Sequence, residues 1–186
     1  MIKSVRFMAL VFFAAASSAF ANTPPIPPPD PDRLAVAQRL VDALPLEAAV
    51  GDGFGSNGIA AEVADNAVAW FAIQSPEDRD ENLKSVFYEK VKIESRTRVT
   101  AAIGDARASL SSLYARQLSE RELMGAETFA LTPEGKAFLL VQLSQDVGLR
   151  HLVSIFLYQR TFPELPRLLQ SSRESSAILK KINRAQ

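Results

Sequence analysis

The chain has 186 residues, 47% hydrophobic and 23% charged, with 21 Lys+Arg against 21 Asp+Glu, one His and no Cys. That is the composition of one ordinary globular domain. Without Cys there is no disulfide scaffold, thiolate nucleophile, Cys-ligated metal centre or lipid-bearing Cys, and a single His excludes the HExxH zinc motif and confines any Ser-His-Asp triad to His151. A net charge of zero speaks against a nucleic-acid footprint spread over the domain.

Residues 1–21, MIKSVRFMALVFFAAASSAFA, set Lys3 and Arg6 ahead of an apolar run from Phe7 to Ala16 and close on Ala19-Phe20-Ala21. These are the three parts of a secretory signal peptide. The cations hold the amino end on the cytoplasmic side, the apolar run enters the translocation machinery, and the small residues fit a signal peptidase cleft. Cleavage is expected after Ala21, because the apolar run is shorter than the roughly 20 residues a spanning helix needs. The expected location is periplasmic or secreted.

Six of the eleven prolines lie between Pro24 and Pro31, so residues 22–30 read as an extended polyproline tether. A helical domain is expected over 31–166. Asp30-Pro31 is a helix start, an N-cap acceptor followed by proline at the first helical position. Leu34, Ala37, Val41 and Leu44 then recur at helical spacing, and this helix is expected to end near Pro45 or Val50. Gly51 to Gly58 read as a loop, after which Val63, Ala67, Trp70 and Phe71 restore helical spacing over 59–73.

The stretch Gly53-Phe54-Gly55-Ser56-Asn57-Gly58 satisfies G-x-G-x-x-G, but a dinucleotide fingerprint needs a strand before it, and here the chain reads as helix on both sides. A calcium loop fails on register, since its first, third and twelfth positions would be Gly53, Gly55 and Ala64. No cofactor and no metal are expected.

Ser75-Pro76-Glu77-Asp78 reads as another helix start, with acids in the first turn. Val99, Ile103, Ala106, Leu110, Leu113, Tyr114 and Leu118 share one stripe, giving one long helix or two broken near Gly104. Lys84, Lys90, Lys92, Arg96 and Arg98, interleaved with Glu89 and Glu94, read as a solvated face, with attraction to a membrane surface as the rival.

Leu118-Ser119-Glu120-Arg121-Glu122-Leu123 spells a capping box, in which Ser119 and Glu122 satisfy each other's backbone N–H groups and Leu118 staples onto Leu123. Phe129-Ala130-Leu131-Thr132-Pro133-Glu134-Gly135-Lys136 spells a second start. Thr132 is the N-cap, Pro133 the first helical residue, Gly135 leaves room for close packing, and Phe129 covers the elbow.

From Pro133 to about Tyr158 the chain is apolar on more than one face. Residues 138–158 hold 12 Leu, Ile, Val or Phe, worth roughly −4 to −7 kcal/mol on an insertion scale, which Asp146 and Arg150 offset at about +5 to +7 kcal/mol. No transmembrane span is therefore expected in the mature chain, and the segment reads as a central bundle helix or one covered by a second chain, as in a homodimer. Phe162-Pro163-Glu164-Leu165-Pro166 interrupts it. Residues 167–186 read as a polar, mildly basic tail or a docking helix. No useful length alternates as a strand does, so the expected fold is all-α, a small bundle of about five or six helices.

Tyr114 and the run LSERELMGAETFALTPEGKAFL from Leu118 to Leu139 resemble the bacterial domain of unknown function family 2059, with its capped E-L helix, aromatic, and Thr/Ser-Pro-x-Gly-Lys/Arg. The resemblance covers residues 95–158, and Leu118 and Ala130 stand where that pattern often has aromatics. It implies an exported, all-helical protein with no catalytic residue or cofactor to carry over.

No acid/base pair is evident, and no residue is singled out as catalytic. The expected function is a non-enzymatic binding or envelope-associated domain whose partner is a protein or lipid-like ligand. The alternative is a hydrolase of envelope material using Glu62, Asp65, Glu122 or His151. A pocket holding two of these would distinguish it.

Overall fold

A helix begins most readily where a side chain can take the unpaired N–H groups of its first turn. The computed structural model describes residues 27–74 and 80–185, and the side chains of all of these except 52–57, 74, 180 and 183–185. In it Asp30 accepts from the N–H groups of Asp32 at 2.9 Å and Arg33 at 3.1 Å, with Pro31 leading the helix. Helix α1 (Pro31–Ala43) buries Val36, Ala37, Leu40 and Val41. The signal peptide and residues 22–26 of the tether lie outside the described residues, and residues 27–30 form no regular element.

A single turn, α2 (Leu46–Ala48), runs into a π-helical stretch over Ala49–Phe54 and then α3 (Gly55–Gln74). The loop expected over Gly51–Gly58 is thus coiled backbone throughout. Val50 and Ile59, buried on either side of it, hold both ends in the core, and the wider π turn takes up the extra residue between them.

The start expected at Ser75–Asp78 lies outside the described residues. Asp80 caps α4 (Glu81–Gln117) by accepting from the N–H of Asn82. This helix runs unbroken for 37 residues, about 55 Å. Gly104 does not interrupt it, because the buried Ile103 and Ala106 on either side hold the helix against the core. That burial outweighs the roughly 1 kcal/mol that a helical glycine costs.

Four further helices complete the described chain: α5 (Glu120–Leu131), α6 (Pro133–Ser144), α7 (Val147–Thr161) and α8 (Leu165–Ala185), the last two joined by a 3-10 turn, Phe162–Glu164. Helices α1, α3, α7 and α8 all pack on α4, while α5 and α6 pair at its carboxyl end against α1 and the π-helical stretch. Phe71 and Phe87 meet in the core with ring centres 5.8 Å apart. The result is an all-α bundle, with no strand among the described residues. Among the described residues, no helix is long and apolar enough to cross a membrane.

The described residues form seven helices longer than one turn, where about five or six were expected, for two reasons. The apolar segment expected as one helix to Tyr158 is two, because Asp146 accepts from the N–H of Leu149 at 3.0 Å and starts α7 afresh. Apolar residues on several faces of one imagined helix are therefore shared between two helices with different neighbours. Secondly, of the two readings of residues 167–186, a tail or a docking helix, the described residues 167–185 take the helical one. Helix α8 begins at Leu165 and buries Leu165, Leu168, Ser172 and Ser176.

Two cations of the expected solvated basic face, Lys90 and Arg98, are occupied in docking α7 and α8, while Lys84 and Lys92 pair within α4 with Glu81 and Glu89 and Arg96 is exposed. Lys90 donates to the Ser171 carbonyl at 2.8 Å and to the hydroxyls of Ser171 and Ser175 at 3.0 Å. Arg98 pairs with Glu94 and Glu164 and donates to the carbonyl of Arg160. The Arg160 guanidinium beside Asp105 holds that carboxyl below its ordinary range. Buried Ser95 and Thr161 join α4 to α7 with hydroxyls 3.4 Å apart.

Candidate functional site

The α5–α6 elbow is built by two successive caps. Ser119 donates its N–H to Glu122 Oε2 at 2.8 Å and accepts from the N–H of Glu122 at 3.4 Å, closing the capping box. The Ser119 hydroxyl also donates to Glu122 Oε2, at 2.6 Å, and these bonds hold the exposed Glu122 carboxyl below the ordinary glutamate value. Leu123 is fully buried one residue on, with Leu118 half-buried against the same core.

At the far end of α5 the Phe129 carbonyl accepts from both the N–H of Thr132, at 3.1 Å, and its hydroxyl, at 2.8 Å. The same hydroxyl accepts from the N–H of Gly135 at 2.9 Å, and Pro133 leads α6. A Cβ on Gly135 would be driven into the Phe129 carbonyl, 2.7 Å from its carbon and 2.8 Å from Thr132 Oγ1. The glycine is required by close approach of two backbones, a demand that no rotamer can relieve.

Phe129 does not seal the elbow. Its ring is 42% exposed and meets Phe138, 46% exposed, edge to face at 6.1 Å. Val141, 52% exposed, follows Phe138 one turn later on α6, so three large apolar side chains share one outer surface. Met124 and Leu131, also exposed, lie seven residues apart along another face of α5. Arg39 of α1 ties the hairpin down through Glu127 at 3.1 Å. The ring pairing and Val141 were not foreseen, although Phe129 was, because the i, i+3 signal of Phe138 and Val141 is buried in a run apolar all round.

Of the four titratable candidates, Glu62 and Asp65 lie one turn apart on α3. Glu62 on α3 pairs with Arg150 on α7 at 3.2 Å, Asp65 and His151 are exposed, and Glu122 is held in its cap. A shallow depression on α4 is lined by Ala108, Ser109, Ser112, Leu113 and Arg116 and contains none of the four. No group of three or more His, Asp or Glu suited to a metal is present among the described residues. Tyr114 lies at the base of the hairpin, where burial, with Asp146 nearby, raises its hydroxyl pKa.

No protein-family model matches this chain, and no curated protein and no solved structure matches it.

Proposed function

We propose that this chain is an exported helical domain that acts by binding within the cell envelope and does no chemistry of its own. The observation that carries the reading is the exposed Phe129–Phe138–Val141 surface on the α5–α6 elbow. An aromatic pair held outward by a rigid, doubly capped turn is pre-organised for a partner, so little conformational entropy is lost on docking. Aromatic anchors of this kind dominate the energetics of interfaces. Export is supported by the three-part leader over residues 1–21, and the resemblance of residues 95–158 to the domain of unknown function family 2059 points the same way.

The test is native mass spectrometry and sedimentation on protein purified gently from the periplasm of its own host, alongside a Phe138→Ser, Val141→Ser variant. The wild type is expected to carry a bound protein, lipid-like molecule or second copy. The variant is expected to lose it while staying folded, at a cost of about 1–2 kcal/mol for the lost ring pairing and half-buried area, checked by its melting curve. A ligand-free monomer that binds no hydrophobic dye overturns the reading.

A further inference from the structure

A second apolar surface lies at the other end of α4. Helices α4 and α8 run antiparallel, since Lys90 bonds Ser171 and Ser175 while Asp80, the N-cap of α4, accepts from the Ser176 hydroxyl at 3.1 Å. Asp80 is therefore where the described part of α4 ends beside α8. Residues 177–185 continue α8 for about 13 Å past that point. On this extension Ile178, Leu179 and Ile182 are 58%, 46% and 50% exposed, and their i, i+1, i+4 spacing puts them on one face.

The charge on this segment selects the occupant. Residues 177–185 read AILKKINRA, three cations and no carboxylate. At the described start of α4, Asp80 bonds Ser176 and the N–H of Asn82, and Glu81 pairs with Lys84. A second copy paired two-fold on this face would bring like charges together. A helix with an aliphatic stripe among lysines and arginines instead matches an anionic bilayer surface, where the stripe enters the headgroup boundary and the cations meet lipid phosphates.

We infer that the carboxyl-terminal end of α8 is a docking element for anionic lipid, placing Ile178, Leu179 and Ile182 in the interface while the net positive charge of the segment supplies the electrostatic attraction. This surface is separate from the elbow, and the two can fail independently. The experiment is co-sedimentation of the full processed chain with vesicles of phosphatidylglycerol and phosphatidylcholine in equal parts, against vesicles of phosphatidylcholine alone. Affinity for the anionic vesicles is expected to be higher by on the order of tenfold and to fall as salt is added.

Ile178→Ser with Ile182→Ser, and separately Lys180→Gln with Lys181→Gln, are each expected to weaken binding by about tenfold. Their melting curves should match the wild type, because Ile178, Lys181 and Ile182 are exposed and follow Ser176, the last buried residue described on α8. Phe138→Ser should bind vesicles as the wild type does. Equal binding to both vesicle types, no binding to either, tail variants that bind unchanged, or tail variants that abolish a dimer instead would each overturn the inference.

Discussion

The α4–α8 seam and the α5–α6 elbow invert the usual arrangement of polar and apolar groups. Along the seam a lysine and a row of serines are turned inward, with Lys90 bonded to three oxygens of α8 and Ser172 and Ser176 buried. At the elbow two phenylalanines and a valine are turned outward. Both are stable for the same reason, that each polar group inside has a partner and each apolar group outside stands on a backbone fixed by caps. Polarity of a helix face is thus a poor guide to which side of it meets solvent. Satisfaction of its hydrogen bonds is a better one.

The contrast can be broken from either side. Gly135→Ala should have the largest effect, since backbone must move to admit the Cβ; a loss of about 3 kcal/mol is expected in chemical denaturation. A loss under about 1 kcal/mol would show that the elbow yields and is not the rigid base assumed for the aromatic pair. Lys90→Met keeps the aliphatic stem and removes three charge-assisted bonds. It should cost about 2 kcal/mol, with faster amide exchange in α8 than in α5. Uniform exchange across both helices would mean that Lys90 does not fasten α8.

Ser119→Ala removes one cap and should cost about 1 kcal/mol, a fall in Tm of roughly 2–4 °C for a domain of this size. The capping box also has a pH signature. The Glu122 carboxyl is held below its ordinary value of 4.5, so its contribution is complete above that value and is lost as pH falls through the lowered one. Amide protection at the start of α5, measured relative to the intrinsic exchange rate at each pH, should fall under acid in the wild type and be far less pH-dependent in Glu122→Gln.

What was legible in the sequence follows from chain distance. The caps at Asp30, Ser119 and Thr132 and the need for Gly135 are contacts within a few residues, written in residue type and spacing. Asp146 carries the same signal, but the apolar run around it hid the break between α6 and α7. Lys90 reaches serines 81 and 85 residues away, and no local pattern separates a cation that fastens a distant helix from one that meets water. The outward turn of Phe129 and Phe138 was likewise beyond local reading, because it depends on α1 and the π-helical stretch having filled the inner side of the hairpin.

The unbroken run of α4 through Gly104 has a geometric consequence. One end of this helix adjoins the basic aliphatic tip of α8, and from the other the α5–α6 hairpin springs. A break would let the two ends swing freely, whereas one continuous helix about 55 Å along its axis ties its terminal fittings to a single element. With both ends engaged the molecule would work as a spacer, setting the standoff between a membrane and whatever the hairpin grips.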